Sequence, residues 1–298
     1  MEEIECIEEH LITLKVWCGV VSVIKCCPLN LKPIARFPLK RLREIAKDGN
    51  LIKTLTRIIK LNHYNKDFIA GKYTICGKKT SCSYENFTPT SIKINCDACN
   101  LRCKMCRQIE YYTKEEELSS VDDYYEVLEM TKGYNLDMLY LTTGGEPFFD
   151  FNKAYDFLKS ITSNDFKRVG IVTNATLLDE DRIRKLSELK NVKLEITVSC
   201  DSICEETYKK IRKNNMFNKV MDNITKLKEA GLLNMINIVI QEDNVMEIEN
   251  MVEYWLSRGI KPNLILVRET GTNELLPIKD SEEVKRIISK YNKYLEGH

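Results

Sequence analysis

The chain predicts an α/β fold of six βα units, an open version of the eight-fold barrel, and three observations point to it. From Ser91 onward, short β-branched or aliphatic runs alternate with amphipathic stretches, the pattern of strands and helices wound around a parallel sheet. Gly231 and Gly259 fall just past two of the helical stretches, where glycine most easily takes the left-handed C-cap conformation. With 298 residues, 43% of them hydrophobic, the chain can bury a full core and has room for one large domain plus an appendage.

Taken in order, the appendage comes first. Residues 1–85 are expected to form a basic, mainly helical region and residues 86–298 the βα core. Between His10 and Thr80 there are fifteen Lys and Arg against only Glu44, Asp48 and Asp67, in a chain whose net charge is +1. The charge is therefore segregated. Leu39, Leu42, Ile45, Ile52, Leu55, Ile58 and Ile59 recur at helical spacing, with Lys40, Arg41, Arg43, Lys47, Lys53, Arg57 and Lys60 between them, so one or two basic amphipathic helices are predicted, with a break at Gly49-Asn50. Leu11 to Ile24 is a short apolar run, read as a helix suited to an interface but too short to span a bilayer. Three outcomes stay open for residues 11–60: docking on an anionic membrane surface, attraction of nucleic acid or an acidic leader peptide, or apolar faces packed on the barrel with the lysines in water.

In the core, strands are predicted near Ser91–Asn95, Met138–Thr142, Arg168–Thr173, Lys193–Ser199, Met235–Ile240 and Asn263–Val267. Helices fill the gaps, among them Phe151–Thr162, Glu180–Leu189, Glu205–Ala230, Val245–Arg258 and Ser281–Leu295. Parallel βα folds hold ligands at the carboxyl ends of their strands, so residues just after each strand share one mouth.

The run Cys99-Asn-Leu-Arg-Cys103-Lys-Met-Cys106 follows the first of these strands. Three thiolates at that spacing suit three irons of a four-iron cluster and leave the fourth iron open to a ligand. With Cys96 included, the run becomes four closely spaced cysteines, as in a structural zinc site, but zinc would leave the downstream glycine motif unexplained. Twelve cysteines without an evident signal sequence indicate a reducing cytoplasm rather than a disulfide framework. Cys18, Cys26, Cys27, Cys76 and Cys82 fit no ligation pattern and are read as idle or buried thiols.

Cys99-x3-Cys103-x2-Cys106 resembles the signature of the radical S-adenosylmethionine enzymes, and later segments resemble that family in order. Thr143-Gly144-Gly145-Glu146-Pro147 is similar to its glycine-rich motif after the second strand. Thr173-Asn174-Ala175 is similar to its Thr-Asn-Gly after the third, with alanine in place of glycine. Ser199-Cys200-Asp201 is similar to its Ser-x-Asp after the fourth. The resemblance spans roughly residues 90–270. It implies a [4Fe-4S] cluster on Cys99, Cys103 and Cys106, and S-adenosyl-L-methionine held by Gly144, Gly145, Glu146, Asn174, Ser199, Asp201 and Arg212. It also implies reductive cleavage of that cofactor to a 5′-deoxyadenosyl radical, which abstracts hydrogen from a substrate. A one-electron donor such as flavodoxin or ferredoxin would serve the cluster. The substrate is left open among a lipid, a peptide and a small anionic molecule, no catalytic residue for it is assigned, and the competing class of function is a binding or electron-transfer protein that keeps the cluster without cleaving the cofactor. Asn237, Val239, Gln241 and Arg268 are weaker candidates, at or beside the last two strands. After Cys204 the chain has no further cysteine, so a C-terminal auxiliary cluster is not expected.

Overall fold

The computed structural model describes residues 11–17, 19–24, 33–63, 89–96, 98–106, 114–141, 145–267, 282–291 and 294. Six strands carry the core: β4 (Ser91–Cys96), β5 (Leu136–Leu141), β6 (Phe166–Thr173), β7 (Lys193–Ser199), β8 (Leu233–Ile240) and β9 (Pro262–Leu266). Each runs parallel to the next, from Ile92 beside Leu139 at one end to Val239 beside Ile265 at the other. This is the predicted series of βα units. Ile92, Ile94, Leu139, Val169, Ile171, Ile196, Val198, Ile236 and Ile238 are buried along it, as expected of a parallel sheet covered by helices.

The covering helices are α3 (Lys114–Met130), α4 (Phe151–Ser160), α5 (Glu180–Glu188), α6 (Glu205–Arg212), α7 (Phe217–Glu229), α8 (Ile248–Ser257) and α9 (Glu282–Lys290). Their starts follow local chemistry. Asp150 caps α4 by accepting from Lys153 N at 3.1 Å, and Asp179 caps α5 by accepting from Arg182 N at 2.9 Å. Inward stripes then set the packing: Phe151, Ala154, Phe157 and Leu158 on α4, and Ile248, Met251, Val252 and Trp255 on α8.

Two helix expectations are corrected. The single helix predicted over Glu205–Ala230 is two, because the chain turns at Lys213, whose φ of 57° is left-handed. Asn214 supplies the reason: its amide donates to Arg212 O at 3.1 Å and accepts from Met216 N at 2.9 Å, so side-chain bonds replace the helical ladder. The helix predicted from Val245 opens with a 3₁₀ turn, Val245–Glu247, before α8.

The larger correction concerns the N-terminal segment. Helices α1 (Leu39–Lys47) and α2 (Leu51–His63) stand where the basic amphipathic pattern placed them, but Leu11–Ile24 is not an interfacial helix. It forms β1 (Leu11–Trp17) and β2 (Val20–Ile24), and β3 (Pro33–Pro38) follows. β1 pairs with β4 in parallel over six residue pairs and antiparallel with β2, which pairs with β3, so the whole forms one nine-stranded sheet. Apolar side chains alternate along β1 and β2: Ile12, Leu14, Val16, Val21 and Val23 are all completely buried. The alternation has period two, the repeat of a strand with one buried face rather than that of a helix.

Leu39, Leu42, Leu51, Leu55 and Ile59 of the two helices are buried as well. The apolar surface expected to meet a membrane is therefore spent inside the protein, and packing on the core is the outcome the fold takes. Among the described residues no helix is long and apolar enough to cross a membrane. The positive charge meets an acidic neighbour, since α3 carries seven Asp and Glu against one Lys. Arg43 donates to the Glu126 carboxylate through two nitrogens, one of them at 2.6 Å, and Gly19 N donates to the Asp123 carboxylate. The expected boundary between residues 85 and 86 lies outside the described residues, as do Cys18, Cys26, Cys27, Cys76 and Cys82.

Candidate functional site at the carboxyl edge of the sheet

Four consecutive strand ends are tied together here by hydrogen bonds. Glu146, after β5, is the centre of the network and only 1% exposed. Its backbone N donates to Ala98 O at 2.7 Å, one residue before Cys99, which joins the β5 loop to the cysteine loop. Its carboxylate accepts from Thr173 Oγ1 at 2.6 Å, Asn174 N at 2.7 Å and Phe148 N at 3.1 Å, which joins the same loop to the end of β6. Burial pushes this carboxyl above its ordinary range, and the three donors work in the opposite direction. With both oxygens used by the protein, the Glu146 side chain acts as a bracket between loops.

Asn174 continues the network toward the cysteines. Its amide donates to Asn100 Oδ1 at 3.0 Å and lies 4.0 Å from Cys99 Sγ, while its own oxygen accepts from Thr176 N and Oγ1. Asn100 in turn donates to Thr176 Oγ1 at 2.8 Å. Ala175, the residue standing where the motif has glycine, adopts φ 58° and is fully buried. Its carbonyl and that of Leu178 both accept from the buried amide of Asn223, at 2.9 and 3.0 Å, which holds the unusual turn closed.

On the other flank, Asp201 after β7 is completely buried. Oδ1 accepts from Val239 N at 2.8 Å, and Oδ2 forms an ion pair at 2.7 Å with Nε of Arg212, itself only 7% exposed. Burial raises the Asp201 carboxyl from its usual value and Arg212 opposes that. The same burial works against the guanidinium, but the neighbouring Asp201 and Cys103 hold it charged. Arg212 also points its Nη1 at Cys103 Sγ, 3.8 Å away. Ser199 is half-buried at the end of β7, where it pairs with Asn237 of β8.

The three cysteines sit in the loop between these flanks, none in a disulfide. Cys103 is 8% exposed and the other two are half-buried. Lys104 N donates to Ile211 O at 2.8 Å and Cys106 N to Cys103 O at 3.0 Å, so the loop is seated on α6. Burial, the nearby Glu146 carboxylate and the charges of Cys103 and Cys106 push the Cys99 thiol up to about 12, and burial raises Cys103 also. A bound metal supplies positive charge that favours the thiolate form of such cysteines. No three His, Cys, Asp or Glu side chains among the described residues converge on a single ion. A four-iron cluster does not require such convergence, because each thiolate binds a different iron. The donor set fits such a cluster, and Gln241 Nε2, buried just after β8 without a hydrogen-bond partner, offers a polar group for a second ligand.

Among the expected site residues, Gly145 is half-buried directly before the bracket residue, and Gly144 and Arg268 lie outside the described residues. Val239 contributes its backbone N to Asp201, and Asn237 accepts from Asn263 at 2.9 Å, so both serve the sheet edge itself. Sequence reasoning missed Asn244 and Asp243 in the turn after β8. The Asn244 amide donates to Asp201 O and Val239 O, and its oxygen accepts from Gln241 N. Asp243 binds Lys104 at 2.5 Å and Lys210 at 2.6 Å, clamping the cysteine loop and α6 to that turn. The only signal was the Asp-Asn pair after a strand, which any turn would carry.

The family model described as the Radical SAM superfamily matches residues 96–254, just over half of the chain. The chain is 30% identical over 161 residues to a GTP 3′,8-cyclase of Synechocystis, covering 53% of this chain and 47% of that protein. A Clostridium perfringens GTP 3′,8-cyclase is 28% identical over 203 residues, covering 67% and 61%. The chain thus spans about half to three fifths of the length of these relatives. The solved structure of Streptococcus suis SuiB bound to S-adenosylmethionine shares the fold, with a TM-score of 0.54, 16% identity and coverage of 95% of this chain and 68% of that one.

Proposed function

Because the chain belongs to the radical S-adenosylmethionine superfamily, we propose that it is an enzyme that cleaves S-adenosylmethionine reductively and uses the resulting 5′-deoxyadenosyl radical to take hydrogen from a substrate. The observation that carries this reading is the hydrogen-bonded join of the cysteine loop to the ends of β5 and β6 through Glu146. A shared site for the three motifs is supported by that join, which ties their loops to one edge of the sheet. In this reading Cys99, Cys103 and Cys106 hold a [4Fe-4S] cluster, which, when bound, supplies the electron that breaks the carbon–sulfur bond.

The remaining residues bind and orient. Gly144 and Gly145 let backbone approach the methionine end of the cofactor without a side chain in the way. Asn174, Ser199, Asp201 and Arg212 provide the polar wall on either side, and Glu146 holds that wall to the cysteine loop rather than touching the ligand through its carboxylate. A one-electron donor of the flavodoxin or ferredoxin kind completes the system.

The test uses protein prepared and reconstituted without oxygen. Iron and sulfide should reach about one four-iron cluster per chain, and reduction in the presence of S-adenosylmethionine should release 5′-deoxyadenosine. Cys103→Ala should lose both properties and Cys96→Ala neither. Undiminished cleavage by Cys103→Ala would overturn the assignment.

A further inference from the structure

Arg212 directs its guanidinium at a cysteine sulfur of this loop, with Nη1 3.8 Å from Cys103 Sγ. Three features fix it there. It ends α6, whose penultimate residue Ile211 accepts a hydrogen bond from Lys104 N, so helix and cysteine loop move as one piece. Its Nε is held by Asp201 at 2.7 Å, and Asp201 is itself anchored by Val239 N and, through its carbonyl, by Asn244. Both charged side chains are buried, at 7% and 0% exposure, so water screens the guanidinium poorly and its effect on a neighbouring sulfur is strong.

We propose that Arg212 is a positioning and tuning residue that stabilises the electron-rich, reduced state of the cluster by donating from Nη1 toward the Cys103 sulfur. This deepens the proposed function and rests on it, since it needs a cluster on Cys99, Cys103 and Cys106. The physical step is uptake of one electron from the external donor. The added negative charge spreads onto the ligand sulfurs, and a fixed donor and cation beside one of them lowers the free energy of the reduced form. Asp201 partly offsets the cation's charge, so the directed Nη1 contact carries much of the effect.

Reduction potential is the readout, measured in the absence of S-adenosylmethionine by stepwise addition of Ti(III) citrate to the reconstituted protein while the reduced-cluster electron paramagnetic resonance signal is followed. Arg212→Gln removes the charge and the rigid fork, and at a fixed potential the ratio of reduced to oxidised cluster should fall about tenfold, or 59 mV for a one-electron couple. Arg212→Gln leaves Asp201 buried without its cation, which endangers folding. The double variant Asp201→Asn with Arg212→Gln removes both charges, and it should show a shift in the same direction. Arg212→Lys keeps the charge and should lie between the unsubstituted protein and Arg212→Gln. Lys209→Gln removes one positive charge from the exposed side of the same helix and should change the ratio less than about twofold, because solvent screens it.

Iron and sulfide content keeps the two claims apart. If the unsubstituted protein binds no cluster, the proposed function itself fails. If it does, and the Arg212 variants bind theirs at the unsubstituted potential, this inference is overturned. It is equally overturned if Lys209→Gln shifts the potential as far as Arg212→Gln, which would make the effect one of overall charge. Failure of both the single and the double variant to load any cluster would make Arg212 a strut of the loop rather than a tuning group.

Discussion

Ala175 shows how much a single backbone angle is worth at this edge. An L-residue in the left-handed region costs about 1–2 kcal/mol. Replacing it with glycine would relieve that, yet would lose a buried methyl worth about 0.8 kcal/mol and about 0.5–1 kcal/mol through the freer unfolded chain. These terms nearly cancel, so Ala175→Gly should shift the denaturant midpoint by an amount equivalent to no more than about 1 kcal/mol. Valine is different. A β-branched side chain is a genuine outlier at φ 58°, and this site is fully buried, so Ala175→Val should destabilise by about 3 kcal/mol or more. Chemical denaturation of the two variants separates the cases, and a well-tolerated valine would mean that the turn is not held closed by Asn223. The alanine that departs from the family motif is thus accommodated by the local structure, which keeps Asn174 aimed at Asn100 and Cys99.

Between α6 and α7 the same angle recurs at Lys213, but at an exposed position with no methyl to bury. Here the balance favours glycine, and Lys213→Gly should stabilise the protein by about 0.5–1 kcal/mol, read from thermal or denaturant unfolding. The turn after β8 carries a second prediction at this scale. Lys104 first, and then Lys210, hold the Asp243 carboxyl below its ordinary value of 3.8. A carboxyl with a depressed folded pKa contributes stability that is present above its unfolded value and lost as pH falls through the folded one. Asp243→Asn should therefore be less stable than the unsubstituted protein at neutral pH. The gap should close as both are titrated below pH 3.8, followed by denaturant midpoints at each pH. A gap that stays constant down to pH 2 would show that the clamp is not ionic.

At the scale of the molecule, the N-terminal segment is part of the sheet rather than a docking arm. Removing residues 1–63 would strip β1 from β4 and leave an unpaired edge beside buried Ile92 and Ile94, while α3 would lose Gly19 and Arg43 as partners for Asp123 and Glu126. Exposed apolar edges recruit other chains, so the shortened protein should aggregate on purification. Size-exclusion chromatography decides this, and a monomeric, cooperatively folding fragment would mean that β1 adds little to the sheet. The positive charge of the segment shapes its surface but does not alone give it a membrane role.

The six βα units and the cysteine loop were legible in the sequence because their signals are local. Strand and helix periods, the Cys99-Cys103-Cys106 spacing and the residues after each strand are all set within a few positions of one another. A parallel topology then brings those strand ends to one edge whatever the details of packing. Three matters were decided only in three dimensions. The Leu11–Ile24 run is apolar at so many positions that its two-residue period shows only in which side chains are buried, and pairing with β4 made it strand. One helix became two at Lys213 because Asn214 offered the backbone better partners than the next turn did. The inward aim of Arg212 and the bracket at Glu146 depend on contacts across 109 and 27–28 positions of chain, and no local pattern encodes which buried partner a charged side chain will find.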